Sequence, residues 1–393
     1  MNSDQNSLTT QARRFDTQPL GSTNFQLKSP GGIKFMAGKD GTINSENDVV
    51  LDILIVGGGI IGLWTAYELA LKHGSLSIAV CEKEGAFGEH TTGRNSEVLH
   101  SGIYYETGSL KHQHCMQGNR LWREFIQKNS LPFLPAGKII TSPHKESEKL
   151  QNLFEKSNKN GLEGVRWLTE QEIQDYQSHI YISSGLYIPS AGVLDVSSSL
   201  QCLRFHLQEL GVMVLSSSDV KLIKNSEIDF ADGHVVQVSG GLVYTKNLVN
   251  AAGLGAVSFR KDLGLVDYQD FYVKGNYLSL NRKLPFNKLI YPTPPEHGLG
   301  LGVHLTIDAS GAQKFGPNTE PINQIQYQVD VGLVNEMYPA IGENFKGIER
   351  SDLSLGYAGI RPKVKKIVNS EAKLANDFLV QDRRQHGISG YFE

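Results

Sequence analysis

The chain has little cysteine, no long hydrophobic run and almost no excess of charge, and each shortage narrows what it does. Three cysteines, Cys81, Cys115 and Cys202, occur in 393 residues. They are odd in number, widely spaced and never form a Cys-x-x-Cys pair. That argues against a disulfide framework or a cysteine-based zinc site and fits a reducing compartment. No apolar stretch approaches the length of a membrane span, which leaves peripheral contact as the form a membrane association would take. The formal net charge is −3, so bulk electrostatics favour neither nucleic acid nor an anionic membrane. No internal repeat is present. With 39% hydrophobic and 20% charged residues, the chain is globular and long enough for two domains.

Residues 1–48 lack sustained periodicity and are rich in Ser, Thr, Asn, Gln and Gly. They read as a disordered leader. Arg13, Arg14, Lys28, Lys34 and Lys39 suit a mitochondrial transit peptide, whereas Asp4 and Asp16 count against one. His112-Gln113-His114-Cys115 offers metal-ligating side chains. It lies in a helix-like stretch where residues two apart do not share a face, so a solvated helix surface is expected and no metal.

What the chain does have is glycine, 41 residues of it. Leu51-Asp52-Ile53-Leu54-Ile55-Val56 is an apolar run that reads as a buried parallel strand. Gly57-Gly58-Gly59-Ile60-Ile61-Gly62 follows, and then apolar residues recur at helical spacing. Gly57 suits the tight turn, Gly59 leaves room for a pyrophosphate, and Gly62 lets the helix sit close to the sheet. The helix amides and dipole then face the phosphates. Ser77-Ile78-Ala79-Val80-Cys81 reads as the second strand and ends at Glu82, about 20 residues past the glycines, where an acid binds ribose hydroxyls. Three spaced glycines alone are a weak signal, shared by ordinary glycine-rich turns; the flanking strand, helix and acid make it a dinucleotide signature. Gly93-Arg94-Asn95-Ser96-Glu97-Val98-Leu99-His100-Ser101-Gly102-Ile103-Tyr104-Tyr105 comes about a dozen residues after the acid. The two motifs together point to a flavin dinucleotide, and so to redox chemistry.

Further along, residues 108–128 read as a helix, Lys138-Ile139-Ile140-Thr141 as a strand and residues 197–210 as another helix. A hairpin-like run from Val212 ends at Leu248-Val249-Asn250-Ala251-Ala252-Gly253, where small residues let the main chain approach a ligand. A simple strand–helix turn fits the same residues. Residues 270–345 alternate short strands with turns, among them Gly300–Thr306, and suggest an antiparallel sheet roofing a cavity; residues 377–380 read as one more strand. The expected fold class is α/β: an FAD-binding Rossmann-like domain formed discontinuously by residues 51–130, 196–262 and 350–393, with a mixed antiparallel-sheet substrate domain from 131–195 and 263–349.

With these motifs in order, the chain resembles the D-amino-acid-oxidase-like superfamily of FAD enzymes, and within it the family that oxidises L-2-hydroxyglutarate. The likeness runs from about residue 51 onward. It rests on Gly93–Tyr105, Gly108-Ser109-Leu110-Lys111, Val273-Lys274-Gly275, Leu301–Thr306, Phe315-Gly316-Pro317-Asn318 and Ala358-Gly359-Ile360-Arg361-Pro362-Lys363. It implies hydride transfer from C2 of L-2-hydroxyglutarate to FAD, giving 2-oxoglutarate, with electrons passing on to a quinone or other carrier. The expected setting is the mitochondrion, with the cytoplasm, membrane-associated or not, as the alternative. It also implies that Arg361 holds a substrate carboxylate, which suits the bidentate fork of a guanidinium. Lys274 is expected at the other carboxylate or the flavin edge. A base of near-neutral pKa is needed for the hydroxyl proton; His304 is favoured and His100 is the alternative, with Tyr104 and Tyr105 lining the cavity. Gly57, Gly59, Gly62, Glu82, Arg94, Asn95, Ser96, Ala252 and Gly253 are the expected FAD contacts. The family carries a Gly-x-x-Ser-Pro-Gly-Leu-Thr segment that opens a last helix against the flavin, and the residues here stop short of it at Gly390-Tyr391-Phe392-Glu393. The alternatives are therefore an enzyme of another 2-hydroxy acid or amino acid, or an inactive truncated member.

Overall fold

Val49–Val56 organises the first of two main sheets. The computed structural model describes residues 49–223, 233–294 and 300–393; the leader expected at 1–48 lies outside the described residues. Ile53 and Ile55 join one apolar cluster and Leu54 and Val56 the opposite one, so both faces of this strand are covered, as parallel strands require. It pairs in parallel with Ile78–Cys81 on one side and Gly241–Asn250 on the other, with Ile55 opposite both Val80 and Val249. Helix Ile60–Lys72 buries Leu63, Ala66, Tyr67 and Ala70, the three-and-four spacing of one helix face. That face packs with Leu200, Leu203 and Leu207 of helix Val196–Glu209 and with Phe125 of helix Leu110–Asn129. Leu63 is fully buried, a contribution of about 1.5–3 kcal/mol.

The run from Val212, expected as one hairpin-like stretch, divides. Met213–Leu215 adds in parallel to Ile78–Cys81, whereas Val220–Leu222, His234–Val238 and Gly241–Asn250 form an antiparallel meander. A strand entered from a helix on the sheet face arrives in parallel; strands joined by short turns do not. Tyr391–Phe392 completes this sheet in parallel beside Leu248 and Val249.

The second sheet is built on the long antiparallel ladder of Tyr268–Leu280 with Leu353–Val368, in which Val273 faces Arg361 and Gly275 faces Gly359. It continues through Gln313–Phe315, Leu305–Ile307, Leu289–Pro292, Lys138–Ser142, Ser184–Ile188 and Arg166–Trp167. Leu289–Pro292 and Lys138–Ser142 run parallel and the other neighbouring strands antiparallel, so this sheet is mixed. Ile139, Ile290 and Phe315 pack beneath helix Leu333–Gly342 through Met337 and Ile341. The segment 350–393, grouped in sequence with the nucleotide-binding half, is thus shared: Leu353–Val368 and Glu371–Leu374 pair in the second sheet, and Tyr391–Phe392 returns to the first. Residues 377–380, expected as a strand, are irregular. The Asp377 carboxylate instead accepts the N–H groups of Leu110 and Lys111 at 2.7 and 2.9 Å, satisfying orphan donors at the start of helix Leu110–Asn129.

Candidate active site

The glycine turn leaves the end of Val49–Val56 as the sequence predicts. Gly57 has φ +110°, and a Cβ there would lie 2.3 Å from the carbonyl oxygen of Ala251. Both facts demand glycine, and the second shows that Ala251-Ala252-Gly253 passes directly behind the turn. A Cβ on Gly62 would meet the Gly57 carbonyl oxygen at 2.0 Å. Gly59 N-caps helix Ile60–Lys72 with no side-chain cap, and Thr92 Oγ1 accepts from Ile60 N–H at 3.1 Å. Glu82 is buried; its two carboxylate oxygens accept from Gly58 N–H at 2.8 Å and Glu84 N–H at 2.9 Å. Each oxygen keeps acceptor capacity for a ribose hydroxyl. A turn that any Cβ would block, a helix start whose own N-cap residue has no side chain to cap it and an acid at the strand end fit a dinucleotide.

Beyond the turn, a cavity of about 790 Å³ opens between the two sheets. The Arg94–Ser96 loop lines one side. Asn95 folds that loop on itself, donating to the carbonyls of Thr91 and Thr92 and accepting from Glu97 N–H. Arg94 stacks its guanidinium 4.1 Å over the Tyr327 ring. Tyr357 donates to the Asn95 carbonyl at 2.5 Å and Thr91 to the Ile360 carbonyl at 3.0 Å. Gly359 permits this approach, since a Cβ there would collide with the Arg94 carbonyl oxygen at 2.0 Å. The contact draws Arg361 into the cavity wall beside the loop.

His100, Tyr104, Tyr105, His304 and Arg361 all line the same cavity, as do Ser96 and Gly253. His304 Nδ1 lies 2.7 Å from the Gly302 carbonyl oxygen. A carbonyl only accepts, so Nδ1 carries the proton and Nε2 the lone pair. His304 also stacks on Tyr291, ring centroids 3.8 Å apart. Burial, with the positive charges of Lys138 and Arg361, pulls its pKa down to about 3. Burial and the same cations hold His100 well below its usual value. Both rings are therefore neutral acceptors. Burial raises the phenols of Tyr104 and Tyr291, and that of Tyr105 to about 12, so these tyrosines are donors. Arg361 Nη1, Tyr104 Oη and Tyr291 Oη are buried and form no hydrogen bond among the described residues. Donors left in that state cost free energy unless something polar arrives.

Lys274 stands apart. It is buried, donates to the Gln328 carbonyl at 2.5 Å and lies 3.9 Å from Glu320. Its neighbour Gly275 lines the cavity and it does not, because successive strand residues face opposite sides. Ala252 contributes backbone behind the glycine turn rather than cavity wall. Lys138 is the site residue that sequence reasoning passed over. It opens strand Lys138–Ser142, is fully buried, and places Nζ 3.5 Å from His100 Nδ1, 4.0 Å over the Tyr291 ring and 5.2 Å from the Tyr104 ring. A lysine beginning an apolar strand reads as solvated, and no local signal marks it otherwise.

A dinucleotide turn opening onto a cationic cavity with neutral histidines defines a flavin-dependent oxidoreductase. Residues 52–388 match the FAD dependent oxidoreductase family, and the chain belongs to that family, with FAD as its cofactor. It is 30% identical over 404 residues to a mitochondrial L-2-hydroxyglutarate dehydrogenase of Arabidopsis thaliana, covering 91% of this chain and 81% of that protein. It is 33% identical over 274 residues to an L-2-hydroxyglutarate dehydrogenase of Escherichia coli, covering 68% and 63%. In fold it is similar to an L-alpha-glycerophosphate oxidase of Mycoplasma pneumoniae with FAD bound, at TM-score 0.73 and 22% identity over 84% of this chain and 86% of that one.

Proposed function

We propose that this protein oxidises L-2-hydroxyglutarate to 2-oxoglutarate and passes the electrons to a quinone or another carrier. The observation that carries the reading is the pairing, in one cavity, of an unsatisfied guanidinium with two neutral imidazoles. Gly57, Gly59, Gly62 and Glu82 hold the dinucleotide end of FAD, with Ala252 behind the turn, and Arg94, Asn95, Ser96 and Gly253 border its flavin end. FAD, when bound, supplies the acceptor for the hydride leaving C2.

The chain's own residues do the rest. Arg361 takes the carboxylate next to the reacting carbon by a charge-assisted fork. His304 Nε2 accepts the hydroxyl proton, since Nδ1 is committed to Gly302. An anionic substrate beside the ring lifts its basicity from the low value that burial sets. His100 orients the site from beside Lys138, and the tyrosine rings keep water out. The relatives named above include mitochondrial and bacterial proteins; the Arabidopsis name supports a mitochondrial setting here.

The test is anaerobic. The purified, FAD-loaded chain is mixed with L-2-hydroxyglutarate and its visible absorbance followed. Bleaching of the flavin band with formation of 2-oxoglutarate is expected. A flavin that stays oxidised with this acid but bleaches with another 2-hydroxy acid or an amino acid would reassign the substrate.

A further inference from the structure

Lys138 is fully buried, and among the described residues no carboxylate helps to hold its charge; burial acts on it first and the nearby Cys115 only second. A buried ammonium without an anion is costly. Around it stand groups that suit an anion and have none. Tyr104 and Tyr291 present phenolic hydroxyls with no hydrogen-bond partner among the described residues, and their rings lie 5.2 and 4.0 Å from Nζ. All three side chains line the same cavity as Arg361. Lys138 and Arg361 enter from different strands, Lys138–Ser142 and Leu353–Val368, which are not neighbours in the sheet. A dicarboxylate has two anionic ends, and these are two separate cationic places for them.

We infer that Lys138, with the hydroxyls of Tyr104 and Tyr291, forms a second carboxylate subsite that takes the end of the substrate not held by Arg361. It rests on the reading above that a 2-hydroxy acid binds here, and adds the determinant that selects dicarboxylates over monocarboxylates of equal length. Lys138 takes the part at the other carboxylate that was one of the two expected of Lys274, which is committed to Gln328 and Glu320. His100 lies against this subsite, 3.5 Å from Lys138 Nζ.

The FAD-loaded protein is titrated with glutarate and, separately, with pentanoate, neither of which is oxidisable at C2 as a hydroxyl; binding is read from perturbation of the flavin spectrum. Wild type is expected to prefer glutarate. Lys138→Met should weaken glutarate about 30-fold, leave pentanoate within about threefold, and Lys138→Arg should restore part of the preference. Kinetically, the Met variant should raise KM for L-2-hydroxyglutarate far more than it lowers kcat. Absence of a glutarate preference in wild type, or equal loss of both ligands in Lys138→Met, overturns the subsite. Should Lys138→Met fail to retain flavin, the Tyr291→Phe and Tyr104→Phe variants decide instead, with a selective loss for glutarate expected and an equal or absent loss overturning. Glutarate selectivity without oxidation of L-2-hydroxyglutarate would leave the subsite standing and remove the proposed reaction. Oxidation without the selectivity would do the reverse.

Discussion

The glycine turn sits at one strand end and the cavity floor draws on several strands, and the two are specified in different ways. The turn is local. Gly57, Gly59, Gly62 and Glu82 lie within one strand–helix–strand unit, and each residue type answers a backbone need: a positive φ at Gly57, a close carbonyl at Gly62, an amide pair for Glu82. The floor is assembled from distance. His100 meets Lys138 across 38 positions, and Arg361 is drawn beside Arg94 by the contact at Gly359. A site made from backbone shape announces itself in residue pattern; a site made from side-chain charge is visible only once the strands have found their partners.

The sharpest way to break this comparison is at the turn. Gly57→Ala places a Cβ in a left-handed backbone and 2.3 Å from the Ala251 carbonyl oxygen. The backbone strain alone costs roughly 1–2 kcal/mol, and the overlap forces the turn open. Purified Gly57→Ala is expected to lack the flavin absorbance band; retention of full flavin would mean that the turn does not cradle the dinucleotide.

Next come the charges and the base. His304→Asn should slow anaerobic flavin reduction by about 100-fold or more, the scale of general-base loss, with FAD still bound. An unchanged rate would move proton abstraction to His100 or to water. Arg361→Ala should lower kcat/KM by roughly 100-fold, equivalent to about 2–3 kcal/mol for a charged hydrogen bond, again with flavin retained. Equal loss of flavin and substrate binding would remove Arg361 from its assigned role.

A pH profile sharpens the comparison further. Burial holds Lys138 down at about 7 in the folded protein. The groups facing it are His100, Tyr104, Tyr291 and Cys115; burial lowers His100, raises both tyrosines and pushes Cys115 to about 11. Lys138 is thus the member of this group that changes charge around pH 7. Its attraction for a dicarboxylate is complete about one unit or more below that value, half lost at it and gone well above it, so kcat/KM for L-2-hydroxyglutarate should fall as pH rises through about 7. Lys138→Arg, which keeps its charge, should flatten the fall. The smallest effect is expected at Asp377→Ala, which removes the acceptor for Leu110 and Lys111 N–H. A loss of about 1 kcal/mol should lower Tm by roughly 2 °C, with kinetics little changed.

Much of the architecture was legible because its signals are short in range. The apolar run at 51–56, the buried spacing of Leu63, Ala66, Tyr67 and Ala70, and the helix after Gly108 all declare their partners' faces locally. Residues 353–374 were harder to place. The long strand Leu353–Val368 carries no mark of whether Tyr268–Leu280 or the first sheet will receive it, and pairing registers set that choice. Lys274 shows how a site residue is misplaced by proximity. It adjoins Gly275, which lines the cavity, and the two-residue period of the strand turns its side chain the other way.

Composition and pattern alone settled that the chain is an α/β dinucleotide binder, because glycines, strand apolarity and an acid at the right offset are demands of the backbone that few other residues meet. Which charged groups share one water-poor space was decided by the tertiary structure. Lys138 becomes a partner for an anion only when burial strips its water and Leu289–Pro292 lays Tyr291 beneath it, and no stretch of sequence carries its own desolvation.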